Sequence, residues 1–320
     1  MFANQFRNRM SLALSVALLF VLSCSISVGG TAPTSQPAFD PTKAALELQA
    51  TQMAMQLTQA ALSAPQPQPT QPPLPTQPPA QVAPTDIPPT ATPDLTARMK
   101  SAKILVYENT DERNIGLWIK EALDNLGLTY THTGSYSGHF MEYLNSGTIY
   151  DLIIVGAEDK DIISGEFWDV INTRLTRDKA ALIVEIWYLD REANGPISKV
   201  MGQCGIRYSR DYDLAESIYW WVPTHPIFNE PNTVLPLIHY SRFWAAQTGD
   251  KIRLGSGGDA ILLAGTQVNS SSDGGVLAVC MQGRMIFQTF SDHDYHEEDV
   301  VPLWENYIYN TLKARFAAMP

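Results

Sequence analysis

The sequence predicts an α/β domain: a doubly wound, mainly parallel sheet with helices on both faces and an antiparallel portion late in the chain. Three observations carry this reading. Compact apolar runs, KILVYE (103–108), DLIIVG (151–156) and ALIVEIWY (181–188), have the near-continuous hydrophobicity of strands covered on both faces. Amphipathic segments alternate with them, the order expected of a parallel sheet. Near the end, VLAVCMQGRMIFQTF (276–290) reads as a hairpin turning at Gln282-Gly283.

Taken in order, the first strand KILVYE leads through Asn109, Thr110 and Asp111 into ERNIGLWIKEALDNLG, where Ile115, Trp118, Ile119, Ala122, Leu123 and Leu126 share one helical face. Gly127 stops that helix. LTYTHT (128–133) reads as a second strand and YSGHFMEYLNSG as a short helix. DLIIVG is the third strand, DIISGEFWDVINTRL the next helix and ALIVEIWY the fourth strand. Beyond Tyr188 the pattern is irregular, with short β-like pieces near 235–240 and 261–267. A final helix is expected from about Glu297 to Phe316.

The front third contributes little to a core. Residues 64–96 are dominated by proline (APQPQPTQPPLPTQPPAQVAPTDIPPTATP over 64–93), which removes backbone donors and blocks both helix and sheet, so they read as an extended linker. Residues 42–63 place Leu46, Ala50, Met53, Leu57 and Ala60 at alternating spacings of four and three, an amphipathic stalk helix with a capacity for weak self-association. Residues 24–41 form a polar tether. Residues 1–23 carry Arg7 and Arg9 ahead of LALSVALLFVLSC, a basic head and an apolar run too short for a comfortable bilayer span. Val21-Leu22-Ser23-Cys24 resembles the lipobox of bacterial lipoproteins. The resemblance implies that Cys24 is lipidated and becomes the mature N-terminus, so that residues 97–320 form an extracytoplasmic domain tethered to the cell membrane.

The formal charge is −11, and it stays near −10 beyond residue 97 once the four acids and three bases ahead of it are set aside. Phosphate binding needs clustered Lys and Arg, so nucleic acid is not an expected partner. Cys204 and Cys280 are the remaining thiols. In an oxidising compartment they either pair or stay buried and free. Because Cys280 ends an apolar run, the free, inert state is the preferred expectation.

The order of KILVYEN, DLIIVGAED (151–159), THPIF (224–228) and GRMIFQTFSDHD (283–294) resembles the class I glutamine amidotransferase-like superfamily, in its trehalose-utilisation-like branch of flavodoxin-like domains. The match covers about two thirds of the chain. In that superfamily a cysteine nucleophile sits on the turn after a central strand and a histidine follows a late strand. Here the exit of ALIVEIWY offers Glu185, Ile186, Trp187 and Tyr188, with neither cysteine nor serine, and Cys204 precedes a strand instead of following one. His293 stands where the family histidine would lie. The resemblance thus implies a site at the carboxyl edge of the sheet without the nucleophile of glutamine hydrolysis.

Strand exits bring Glu108, Asn109, Glu158, Asp159 and Glu185 to that edge. Glu185 interrupts an apolar run, so it either needs a partner or a raised pKa, or stands just past the buried part of the strand. SDHDYHEED (291–299) groups Asp292, His293, Asp294, His296, Glu297, Glu298 and Asp299. His293 and Glu185 are the candidate catalytic pair, and Asp294 is either a ligand contact or a helix cap, with the following acids favouring the helix dipole. No second separated ligand motif accompanies the cluster, so no metal and no cofactor are expected. Trp187 is a further ligand-binding candidate at the exit of the fourth strand, and Trp220 and Trp221 either line a ligand groove, where they would stack on a sugar ring, or pack in the core. His225 and the glycine-rich GSGGD (255–259) read as structural, the latter as a turn.

The preferred functional expectation is a domain without the amidotransferase nucleophile that binds a small polar ligand such as a carbohydrate. Two alternatives stand beside it. One is a divergent hydrolase using His293 with an acidic partner, with or without a metal, and the other is an envelope assembly module joined through residues 42–63.

Overall fold

The computed structural model describes residues 94–110, 115–159, 163–212, 216–240, 243 and 249–319. These belong to one compact unit, Ile87–Pro320. Cys24, residues 42–63 expected to form a stalk helix, and nearly all of residues 64–96 expected to form a linker lie outside the described residues.

A short helix, α1 (Leu95–Lys100), opens the fold, capped by the Asp94 side chain on the Thr96 N–H. Its Arg98 donates to the Phe316 and Met319 carbonyls and lies over the Phe316 ring, so it ties the start of the domain to its end. The strands and helices then alternate: β1 (Ile104–Asn109), α2 (Trp118–Asn125), β2 (Thr131–His132), α3 (Ser137–Asn145), β3 (Leu152–Ala157), α4 (Glu166–Arg177) and β4 (Ala181–Ile186). After them come α5 (Leu189–Glu192), α6 (Ile197–Cys204), β5 (Ile206–Tyr212), β6 (Tyr219–Trp220), β7 (Gly249–Leu254), β8 (Ile261–Gly265), β9 (Gly275–Cys280), β10 (Met285–Gln288) and α7 (Glu297–Ala318).

The sheet runs β2-β1-β3-β4-β10-β9-β7-β5, with β8 and β6 branching from β9. β2, β1, β3, β4 and β10 are parallel, and β10 turns antiparallel to β9 through the hairpin. This is the α/β, flavodoxin-like arrangement expected, with its antiparallel part late in the chain. Every residue of β1, β3 and β4 is buried, as runs of Ile, Val and Leu sandwiched between two helical layers require. Alternate side chains divide into two cores. Ile104 and Val106 pack with Trp118, Ile119, Trp304 and Tyr307 under α2 and α7, whereas Leu105 and Tyr107 pack with Phe140, Trp168 and Ile171 under α3 and α4.

Two expectations need correcting here. Cys204 and Cys280 are bonded to each other, with Cα atoms 5.2 Å apart. The apolar setting that suggested a free thiol is real, but the end of α6 lies against the end of β9, which places the two side chains within bridging distance. Asp294 does not cap α7. His296 occupies the N-cap position without a side-chain bond, and the Asp294 carboxylate instead accepts the Phe243 N–H. GSGGD is indeed a turn. Gly255 N–H donates to the Gly205 carbonyl, and Gly258 presses against the Cys204 carbonyl, where a Cβ would come within 2.2 Å. His225 is structural, its Nδ1 accepting the Ile227 N–H at the start of a 3-10 turn.

Candidate functional site at the carboxyl edge of the sheet

Parallel register aligns Glu108 with Gly156, Gly156 with Glu185 and Glu185 with Gln288, so four strands contribute one transverse row. The row lies one residue from the end of β1, β3 and β4, on the face covered by α2 and α7. Gly156 supplies no side chain. A Cβ there would meet Ile119 Cδ1 at 2.3 Å and Glu185 Oε2 at 3.7 Å, so the glycine is what lets α2 settle onto the sheet beside a carboxylate.

Each polar member of the row but one is paired. Glu108 accepts the Ile119 and Lys120 N–H groups at the start of α2, and its Oε2 lies 2.8 Å from His132 Nε2 on β2. A carboxylate at a helix N-terminus is favoured by the unsatisfied N–H groups and the dipole. Gln288 donates to Asp292 Oδ1 at 2.6 Å and accepts the Tyr307 hydroxyl at 3.0 Å. Glu185 is 1% exposed, and neither of its oxygens makes a hydrogen bond of ordinary geometry, the Ala157 N–H being the one backbone donor that favours its charge. The reading of Glu185 as a solvent-facing residue beyond the buried strand is therefore corrected: its partner Gln288 belongs to the strand in the middle of the sheet.

Two residues past Gly156, on the same side, Glu158 reaches the segment after β10. Its carboxylate accepts from Ser291 Oγ at 2.9 Å, the Asp292 N–H at 2.6 Å and His293 Nδ1 at 2.9 Å. Asp292 is buried and accepts Trp304 Nε1 at 2.7 Å. His293 lies flat on Trp118, and its Nε2 donates to the Gly116 carbonyl at 3.2 Å. Both imidazole nitrogens thus face acceptors, an environment made for the doubly protonated ring. Burial pulls the His293 pKa down, but the Glu158 and Asp292 charges outweigh it and lift the value to about 9. Burial, then repulsion from Glu158, pushes Asp292 up to about 7. Glu185 is raised well above the carboxylate range by burial first and by Glu158 and Asp292 next.

Glu108, Asn109, Glu158, Glu185, Asp292 and His293 all border one cavity of about 10 Å³, roofed by Trp118 and Ile119. That is room for about one water molecule. Glu108 also borders a wider, open hollow of about 340 Å³ lined by Thr110, His132, Ser135 and Tyr136. This hollow sits at the exits of β1 and β2, next to the point where strand order reverses between β1 and β3, the position at which open α/β sheets take their ligands. Hollows of about 340 and 530 Å³ elsewhere, beside the β9–β10 turn and at the opposite ends of β1 and β2, hold no strand-exit carboxylate.

Expected site residues therefore separate into groups. Glu108, Asn109, Glu158, Glu185 and His293 are brought together. Asp159 lies beyond them on the side of Tyr107, whose pKa is raised by burial and by the Asp159 charge. Trp187, expected to face a ligand, is fully buried in the other core, where its Nε1 donates to the Glu158 carbonyl at 2.7 Å and fixes the strand exit from beneath. Trp220 is also a core residue, stacked on Phe228 at 4.2 Å, and Trp221 packs over Gly265 with its Nε1 bonded to the Gln267 carbonyl. Neither borders the cavity or the hollow beside it. His132, Gln288 and Tyr136 were not singled out in the sequence, and Trp118 was read only as part of a buried helical face. A histidine one residue before the end of LTYTHT was the one available signal for His132.

No protein-family model matches this chain, and no curated protein matches it.

Proposed function

We propose that this is a membrane-anchored, extracytoplasmic binding domain of amidotransferase-like descent, lipidated at Cys24, which holds a small polar ligand such as a carbohydrate in the hollow at the exits of β1 and β2. One observation carries the reading. The β4 exit presents only Glu185, Ile186, Trp187 and Tyr188, all buried, and the two cysteines of the domain are bonded to each other, so a thiol nucleophile has no place in the described site. What remains suits recognition. Glu108 and His132 form a fixed acceptor and donor pair at the floor, Thr110 and Ser135 add hydroxyls, and Tyr136, 60% exposed, offers a flat ring.

The hydrolase reading asks His293 to act as a base. Its nitrogens are both committed to acceptors and its pKa lies above neutrality, which works against proton abstraction at pH 7.

The test is thermal unfolding of the full chain against a panel of mono- and oligosaccharides, with Tyr136→Ala alongside. Tyr136 is exposed, so its removal leaves the core intact. A ligand at a hundred times its Kd adds about 2.7 kcal/mol, a shift that is easily read. A rise in Tm with one sugar that vanishes in Tyr136→Ala supports the reading, whereas turnover of a glycoside or amide substrate, or a shift indifferent to Tyr136, overturns it. Loss of metabolic fatty-acid labelling in Cys24→Ala tests the anchor.

A further inference from the structure

The carboxylates of Glu158, Glu185 and Asp292 each present an oxygen within 4.8 Å of the other two, and all three residues are buried. Acidic side chains gather in this way at many surfaces without consequence, but here two further facts distinguish the group. Glu185 is 99% buried with both oxygens unbonded, and it faces the cavity of about 10 Å³ that the other two acids also border. Leaving a buried carboxylate without a donor costs several kcal/mol unless a cation or a proton compensates it.

From this geometry we infer that Glu158, Glu185 and Asp292 form a site for a single hard divalent cation, of the Ca²⁺ or Mg²⁺ class, beneath Trp118. The donor set is all oxygen, the chemistry those ions take in preference to the softer transition metals. Two oxygens on opposite sides of one Ca²⁺ are about 4.6–5.2 Å apart, so the three carboxylates already stand within the span of one coordination shell. Each ligand but one is also held from behind. Asp292 accepts Gln288 and Trp304, and Glu158 accepts Ser291 and the backbone N–H of Asp292. These bonds aim the remaining lone pairs and leave Glu185 as the carboxylate that the ion itself would satisfy. The inference does not depend on which polar ligand the neighbouring hollow takes.

A second acidic group, Asp190, Asp211 and Asp250, lies on the other part of the sheet and serves as an internal control. The full chain, freed of metal with a chelator, is titrated separately with Ca²⁺, Mg²⁺ and Mn²⁺ up to about 10 mM, above the roughly 10⁻³ M dissociation constants of weak oxygen-ligand sites. Heat of binding and Tm are both read. The expected result is one equivalent bound, a Tm rise of roughly 3 °C or more at a tenfold excess over Kd, and retention of both in Asp211→Asn. Glu185→Gln abolishes binding, and its metal-free Tm is no lower than that of the parent, because an amide of the same shape replaces a buried carboxyl that lacks a well-placed donor. Asp292→Asn, which keeps an acceptor for Trp304, is the second variant should Glu185→Gln not fold. The proposal is overturned if none of the three ions gives heat or a Tm rise. It is equally overturned if binding survives in the folded variants of the triad, or if Asp211→Asn alone removes it.

Discussion

The imidazole of His293 lies on the indole of Trp118 with ring centroids 4.1 Å apart and 19° between planes, and this pair joins the segment after β10 to the start of α2. The two residues are far apart in the chain, yet they close the roof over the acid cluster. Replacing Trp118 with Leu should cost roughly 2–4 kcal/mol by lost burial. It should also remove the ring current from the His293 protons, so the variant's imidazole NMR signals should move downfield. An unmoved signal would show that the rings do not stack in solution.

The Cys204–Cys280 bond closes a loop of 76 residues. By the chain-entropy account, a loop of that length is worth about 4 kcal/mol. Treating the protein with a reductant, or replacing both cysteines with Ser, should lower the denaturant midpoint accordingly. Thiol titration of the unreduced, unfolded domain should find neither Cys204 nor Cys280.

Gly205 ends α6 at φ +87°, and a Cβ at that position would come within 2.0 Å of the Gly257 carbonyl. Left-handed backbone and direct overlap with main chain leave no side chain that fits. Gly205→Ala should destabilise by roughly 2–4 kcal/mol, measured by urea unfolding. Gly202→Ala, in the same helix with open space around it, should not.

Asp250 is 2% exposed, with Asp190, Asp211 and Tyr208 around it, and burial, followed by the Asp190 charge, pushes its pKa up to about 8. Between pH ~4 and pH ~8 the folded protein therefore holds a proton that the unfolded chain has released. Stability should fall as pH rises through that window, by at most ~1.4 kcal/mol per unit from this group, and Asp250→Asn should flatten the slope. A parent protein with the same pH profile as the variant would remove Asp250 as the cause.

The central strands were legible because burial on both faces leaves a compositional mark: KILVYE, DLIIVG and ALIVEIWY all became strands at their expected places. The late hairpin was legible from its turn. Its backbone goes positive at Met281 and Gln282 as well as Gly283, with Asp259 accepting the Met281 and Gln282 N–H groups. LTYTHT shrank to Thr131–His132 because it pairs only along one side of β1. β7, built on the polar GDKIRL, gave no periodic signal. The site was half legible. A carboxylate inside ALIVEIW marks itself, whereas the pairing of Glu108 with His132, the roofing by Trp118 and the bond from Trp187 to the Glu158 carbonyl depend on register between strands, which no local pattern encodes. Aromatic abundance around residue 220 pointed the wrong way because a large ring signals burial as readily as recognition.

β10, among the last elements to leave the ribosome, sits between β4 and β9 in the middle of the sheet. A nascent chain stopped short of Gln288 has β4 exposed along one side and lacks the row partner of Glu185, so nearly the whole polypeptide must be made before the sheet can close. Such delayed assembly is a hazard for a protein folding during synthesis. It delays the Cys204–Cys280 bond as well, since Cys280 ends β9, the strand just before β10.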